Sequence, residues 1–167
     1  AIIVAGAAAA TMPAWLNVAR AQSTPIKIGF PVPLTGAFSA EAQDQVRCAE
    51  LAVKEFNDSG GFNGRKAELL VRDDKLNPGE AATRTLELIE KDKIDFVVGS
   101  LSAATQLSIN AVCRDRKVLF NSISQSDAIN EAKDWSLYTF HEALTPVQRD
   151  LEVARFRDRG DVPPHPA

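Results

Sequence analysis

Six hydroxyl side chains fall into two short groups that could hold a small anionic ligand. They are Ser100, Ser102 and Thr105 in the first group, and Ser122, Ser124 and Ser126 in the second. Neutral hydroxyls beside the unpaired N–H groups at the start of a helix suit a carboxylate, because the donors and the helix dipole act together there. The same serines could instead cap helices and close turns, since capping draws on the same geometry.

Other reactive side chains form no recognisable catalytic or metal-binding motif. Asp73 and Asp74 could act as paired carboxylates or hold a magnesium ion, although turn and cap roles explain them as well. His141 and His165 have no partner at the spacing of metal ligands. The sequence contains no G-x-S-x-G elbow, P-loop or G-x-G-x-x-G motif. We therefore expect a non-catalytic protein with neither a metal ion nor a cofactor.

The two cysteines, Cys48 and Cys113, are too few for a disulfide scaffold and are not spaced like zinc ligands. Each falls within an apolar stripe of a different predicted helix. The pattern favours apolar packing as the role of both thiols.

Apolar runs and amphipathic stretches alternate along the chain, which predicts strands at 26–31, 67–72, 94–99 and 118–120 with a helix in each gap. Gly60 and Gly61 end the first helix. Asn77 caps the second, Pro78 takes its first position, and Glu80 completes a capping box. Ser102 is a plausible cap for the third helix.

The apolar spacing also predicts which face of each helix is buried. The predicted inward residues are Ala42, Val46, Ala49, Val53 and Phe56, widened by Cys48 and Ala52, in the first helix; Ala82, Leu86 and Ile89 in the second; and Ala104, Leu107, Ala111 and Val112 in the third.

This alternation with short connections predicts an α/β fold, a doubly wound and mostly parallel sheet with helices on both faces. In open sheets of this kind, ligands bind beyond the carboxyl ends of the strands. That rule selects the loops 33–38, 73–76, 100–105 and 121–127.

Length and charge narrow the class of protein further. A chain of 167 residues has room for about one domain, and its 45% hydrophobic and 25% charged residues are those of a globular protein. The formal net charge is −3 and there is no basic cluster, so nucleic acid is not an expected partner.

The two ends differ in composition from residues 22–146, which we expect to form the ligand-binding lobe. Residues 1–21 combine an apolar run with a small-x-small ending, which indicates an export signal that is incomplete at its start. A membrane anchor or a buried Ala-rich helix are the alternatives. Residues 147–167 end in a Gly and Pro-rich stretch and are either a frayed terminus or the product of truncation or a frameshift.

Three segments in this order resemble the amino-terminal lobe of periplasmic substrate-binding proteins of ABC importers, of the leucine/isoleucine/valine-binding type. They are IKIGFPVPLTGAF, AELAVKEFNDSGGFNGRKAELLVRDDKLNP and DFVVGSLSAATQ. The resemblance covers residues 26 to about 146. It implies a further strand around Phe140, a periplasmic location, a small amino acid or carboxylate as ligand, and an ABC permease as partner.

The resemblance implies that the ligand is held by groups after strands three and four. It implies five site residues: Ser102, Ala103, Ala104, Ser124 and Ser126. We add Ser122, which belongs to the second hydroxyl group. The chain departs from many relatives at Ala103, Cys48 and His141. It also departs at Glu41, which could favour a ligand bearing positive charge.

In this family a second lobe closes over the ligand, so we expect this chain by itself to bind its ligand weakly or not at all. Two alternatives share a similar sheet. A receiver domain needs an acid pair after strand one and an acceptor aspartate after strand three, whereas this chain has Val32-Pro33 and Gly99-Ser100 there. The ligand-sensing ectodomain of a receptor is compatible with the same residues.

Overall fold

A computed structural model describes residues 24–142 as strands and helices that alternate around one five-stranded sheet. The elements are β1 (Ile26–Val32), α1 (Ser39–Asp58), β2 (Ala67–Asp73), α2 (Pro78–Glu90), β3 (Phe96–Gly99), α3 (Ala103–Arg116), β4 (Leu119–Ser122), the 3₁₀ helix η1 (Asp127–Asn130) and β5 (Thr139–His141). The predicted export signal and carboxyl-terminal tail lie outside the described residues. Within 24–142, no helix is both long and apolar enough to cross a membrane.

All the strand pairs of the sheet are parallel, and the strand order is β2-β1-β3-β4-β5. The predicted α/β class with a parallel sheet is therefore confirmed, as is a strand around Phe140. The largest errors in the predicted strand boundaries are that β3 begins at Phe96 and not at Ile94, and that β4 ends at Ser122 and not at Phe120; the other boundaries agree within one residue. Ile94 is buried because it packs in the core beside Leu88, and its apolar character had suggested a strand residue.

Helices cover both faces of the sheet. This is expected, because successive side chains of each strand point to opposite faces and both faces carry apolar residues. Val97 points to the face covered by α2 and α3, where it shares a buried cluster with Leu88, Ile109 and Phe120. Val98 follows it and packs on the other face, against the cluster that includes Ala42 of α1. Successive strand residues face opposite ways, so one strand contributes to both cores.

The amino terminus of α2 forms largely as its sequence predicts. The Asn77 side chain accepts hydrogen bonds from the N–H groups of Gly79 and Glu80, at 2.8 and 3.0 Å, and Pro78 occupies the first turn. The predicted capping box is wrong, because the Asn77 N–H donates to the Asp74 carbonyl oxygen. The Glu80 carboxylate lies instead near Arg84, at 3.4 Å.

The buried faces of α2 and α3 differ from the predicted ones. In α2 the fully buried residues are Ala81, Thr85 and Leu88, one position away from the predicted stripe. Thr85 tolerates burial because its hydroxyl donates to the Ala81 carbonyl oxygen at 2.7 Å. In α3 the buried residues are Thr105, Gln106, Ile109, Asn110 and Cys113, and Ala104 is exposed. The predicted stripe of α3 had not included Thr105, Gln106 or Asn110, whereas the predicted apolar packing of Cys113 is confirmed.

α1 covers only part of its side of the sheet. Ala42 is fully buried, whereas Cys48 and Ala52 are exposed, so their predicted place on the buried face was wrong. Beyond α1, Leu119 of β4 and Phe140 of β5 are exposed on this same side. An apolar cavity of about 420 Å³ lies beneath α1 at the amino ends of β1, β2 and β3, lined by Ile26, Ile28, Ala67 and Phe96 among others. We call the surface of β4 and β5 on this side the open face.

Candidate ligand-binding site

The two hydroxyl-bearing loops leave neighbouring strands at the same edge of the sheet. β3 pairs with β4 so that Gly99 lies opposite Ser122. The ladder continues past the strands, because the Ile123 N–H donates to the Gly99 carbonyl oxygen at 2.8 Å. β1 lies between β2 and β3, and the chain leaves it towards α1 on one face while α2 and α3 occupy the other. In this fold a crevice forms where the strand order reverses, here between β1 and β3; the loop after β3 borders this usual ligand position, and the loop after β4 lies one strand further along.

The loop after β3 is held by a network of its own hydroxyl groups. The Ser102 hydroxyl accepts from the Thr105 N–H at 3.2 Å and so caps α3. The Thr105 hydroxyl lies 2.9 Å from the Ser102 hydroxyl and 3.0 Å from that of Ser100. Ser100 and Thr105 are fully buried, whereas Ser102 is partly exposed. Ser100 and Thr105 therefore fix the loop, and Ser102 is the hydroxyl of this group that a ligand can reach.

Ala103 and Ala104 begin α3 and are both exposed. Their N–H groups are the first two of the helix, which have no carbonyl partner within it. Their methyl side chains leave the helix start accessible. This end of α3 also carries the positive end of the helix dipole, and no acidic side chain lies in its first turn. The arrangement suits a small anion.

The loop after β4 contributes less side-chain surface than the sequence predicts. Ser122 is fully buried on the α2 and α3 side of the sheet, and its hydroxyl has no partner among the described residues. Its predicted contact with a ligand is not supported by this position. Ser124 is only 3% exposed. Ser126 is partly exposed and caps η1, accepting from the Ala128 N–H at 3.3 Å. Main-chain groups and Ser126 are therefore what this loop can offer.

Glu41 lies in the first turn of α1 and is exposed. The β1–α1 loop that leads to it leaves the strand beside β3, at the edge where the two hydroxyl loops lie. The structure gives its carboxylate no hydrogen bond or ion pair within residues 24–142. Glu41 therefore borders this edge of the sheet as an unengaged negative charge.

The neighbouring carboxylates Asp73 and Asp74 shape the turn after β2. Asp73 accepts from the N–H groups of Leu34 and Lys75 and from the Thr35 hydroxyl. Burial acts to raise the pKa of Asp73, but these hydrogen bonds together hold it below its ordinary value. Burial raises the pKa of Asp74, and its hydrogen bond from Leu76 only partly offsets this.

The positions of Asp73 and Asp74 favour a structural role in the turn over acid catalysis or metal binding. Asp73 is saturated with protein donors, and Asp74 is completely buried. Within the described part of the chain, no group of three or more His, Cys, Asp or Glu side chains could hold a metal ion. The acid pair also follows β2, whereas a receiver pocket needs it after β1.

Sequence reasoning did not place His141 or Asn130 at the site. His141 Nε2 lies 2.6 Å from the Ser124 carbonyl oxygen, and its Nδ1 lies 3.1 Å from the Asn130 amide nitrogen. Seventeen residues separate His141 from Ser124. The only signal was that the resemblance marked His141 as a departure from many relatives.

Comparisons with known proteins identify the family. A family model described as "Periplasmic binding protein" matches residues 25–150. The chain is 32% identical over 110 residues to the Leu/Ile/Val-binding protein BraC3 of Rhizobium johnstonii, a match that covers 66% of this chain and 30% of the relative. It is 27% identical over 94 residues to the Leu/Ile/Val-binding protein homolog 1 of Brucella abortus, covering 56% of this chain and 25% of the relative. The chain thus spans about a third or less of these relatives.

Solved structures agree with this assignment. A branched-chain amino acid transporter substrate-binding protein, LivJ, from Streptococcus pneumoniae was solved with isoleucine; it is 29% identical, with a TM-score of 0.64, and the match covers 71% of this chain and 33% of that one. A branched-chain amino acid ABC transporter protein described as putative, from Rhodospirillum rubrum, is 21% identical with a TM-score of 0.73, covering 81% of this chain and 39% of that one, and shows the fold alone. The chain therefore belongs to the periplasmic binding protein family, in its leucine/isoleucine/valine-binding type.

Proposed function

We propose that the protein is the extracytoplasmic solute-binding component of an ABC importer and that it binds a branched-chain amino acid or a similar small carboxylate without catalysis. The observation that carries the proposal is the exposed start of α3 at Ala103 and Ala104, beside the capped hydroxyl of Ser102 and next to the loop after β4. Two free N–H groups, a hydroxyl and the helix dipole converge there on one small volume. The ABC permease is the proposed partner.

The nature of the relatives supports a carboxylate as the shared element of the ligand. Isoleucine was found with the Streptococcus pneumoniae protein, and benzoate with a solute-binding protein of R. palustris that shares the fold. These two molecules have a carboxylate in common and only one carries an amino group. Glu41 is the proposed partner for a positive group, because it is an exposed and unengaged carboxylate at the same edge of the sheet.

Nuclear magnetic resonance on the ¹⁵N-labelled 167-residue chain tests this proposal, with sodium benzoate and L-isoleucine as probes. Because the match covers only about a third or less of each relative, we expect weak binding that needs millimolar probe. Saturable amide shifts should centre on Ala103, Ala104 and Ser126. Benzamide, which has no negative charge, should produce none of them. Saturable shifts confined to other regions, or none with either probe, would overturn the proposal.

The variant Ala103→Pro sharpens the experiment. Proline is well suited to the first position of a helix, and Ser102 before it has the extended backbone that proline requires, so the change removes one N–H group and preserves the helix. A hydrogen bond to a charged group contributes about 1.5–3 kcal/mol, so benzoate affinity should fall by roughly 10- to 100-fold. Pro78→Ala alters the corresponding position of α2 and is the matched control, which should keep the affinity.

A further inference from the structure

His141 joins three parts of the described structure that border the candidate site. It lies in β5, the edge strand next to β4, and Ser122 is opposite it in the ladder. Its ring reaches the Ser124 carbonyl oxygen through Nε2 and the Asn130 side chain through Nδ1. Strand β5, the loop after β4 and the helix η1 are therefore connected through one imidazole.

The hydrogen bonds determine which ring nitrogen carries the proton. A carbonyl oxygen only accepts, so the contact with Ser124 requires a proton on Nε2. The Asn130 amide nitrogen only donates, so Nδ1 must be unprotonated. Both contacts are satisfied together by a neutral imidazole protonated on Nε2. The Glu142 carboxylate next to it in the chain is engaged elsewhere, by the Asn121 amide at 3.0 Å.

Holding this carbonyl also orients the next N–H group. The peptide bond between Ser124 and Gln125 is trans, so the Ser124 C=O and the Gln125 N–H point in opposite directions. β4 lies between β3 and β5. Because the carbonyl is drawn towards β5, the Gln125 N–H is turned towards the side of β3, where α3 begins. Among residues 24–142, no hydrogen bond uses this N–H.

We propose that His141 is a positioning residue of the ligand site, which holds the Ser124 carbonyl so that the Gln125 N–H faces the start of α3 as a further donor to the ligand carboxylate. This inference rests on the proposed function, to which it adds a donor and the group that aims it. His141 does not itself touch the ligand. Ser124 is 3% exposed, so water can replace His141 as the donor to its carbonyl oxygen only if the loop moves.

Two substitutions test the contacts of the two ring nitrogens separately. In His141→Gln the amide nitrogen lies as many bonds from Cα as Nε2 does, so it can still donate to Ser124. In His141→Asn the amide oxygen corresponds to Nδ1, so it can accept from Asn130 but leaves the Ser124 carbonyl without its donor. The pair therefore tests the Ser124 contact against a control with a polar side chain at the same position.

The first readout needs no ligand. The ¹⁵N spectrum of the free chain should show a protonated Nε2 and an unprotonated Nδ1 for His141. The Gln125 and Ser126 amide signals should be retained in His141→Gln and shifted or broadened in His141→Asn. The opposite tautomer, or amide signals that are the same in both variants as in the native chain, would overturn the proposal.

The second readout is benzoate titration of the same samples. His141→Gln should keep the affinity of the native chain, and His141→Asn should lower it by about tenfold or more, the effect of one hydrogen bond to a charged group. Equal affinities in the two variants would refute the positioning role. If the native chain binds neither benzoate nor L-isoleucine, the proposed function fails, while the tautomer and loop signals still decide whether His141 holds the loop.

Discussion

The variant Ser102→Ala separates the capping role of this serine from its contact with a ligand. The Ser102 hydroxyl accepts from the Thr105 N–H, and its own proton faces the Thr105 hydroxyl at 2.9 Å, from which it can turn to a ligand carboxylate. Loss of a serine cap for alanine costs about 1 kcal/mol of stability. Thr105 stays satisfied in the variant by Ser100 and by the Ser102 carbonyl oxygen, each at 3.0 Å, so no further penalty adds to this cost.

The matched control is Asn77→Ala, which removes the cap of α2. Asn77 accepts two hydrogen bonds from main-chain N–H groups, so its loss should also cost about 1 kcal/mol. Urea unfolding should therefore give similar losses of unfolding free energy for both variants. Benzoate titration should separate them, because only Ser102→Ala removes a proposed ligand contact; we expect roughly tenfold weaker binding.

A third variant, Ser102→Gly, separates stability from binding. Glycine at a cap costs only a few tenths of a kcal/mol relative to serine, so stability should be nearly native. The Ser102 hydroxyl that is proposed to contact the ligand is still lost, so benzoate binding should weaken as in the alanine variant. Native affinity in Ser102→Gly would show that the hydroxyl only caps the helix. It would refute the claim that the Ser102 hydroxyl donates its proton to the ligand carboxylate.

Four further predictions concern other parts of the molecule. Asp73→Asn should lower the free energy of unfolding at pH values above the pKa of an unfolded aspartate. This loss should disappear as the pH falls, because hydrogen bonds lower the pKa of Asp73 in the folded state. Asp74→Asn should behave oppositely, with a gain in stability at neutral pH that disappears in acid, because burial raises the pKa of Asp74; urea unfolding across pH checks both, and parallel profiles would contradict them. Cys48 should react with a thiol reagent in the folded protein and Cys113 only after unfolding, because burial raises the pKa of Cys113 to about 12; mass spectrometry after labelling distinguishes them, and early modification of Cys113 would be inconsistent with its place in the core. The chain should self-associate at high concentration through the open face, where Leu119 is 48% exposed, and Leu119→Lys should reduce this association; unchanged light scattering in the variant would show that this face does not associate.

The sequence alone determined those features that depend on near neighbours in the chain. Asn77 and Ser102 cap helices because each side chain bonds to N–H groups two or three residues ahead, a geometry that the local sequence fixes. The alternation of strands and helices, and with it the parallel sheet, followed from hydrophobic periodicity in the same way. Since ligands in such sheets bind at the carboxyl ends of strands, the two site loops could be selected before any coordinates.

Tertiary structure alone decided which of these residues a ligand can reach. Thr85 and Gln106 are buried because of what packs against their helices, and their polar side chains gave no sign of it. Cys48 is exposed because α1 covers less of the sheet than its apolar stripe would allow. His141 meets Ser124 only because β5 pairs with β4. Contacts between distant residues depend on how the elements pack together, and periodicity within one element carries no information about its neighbours.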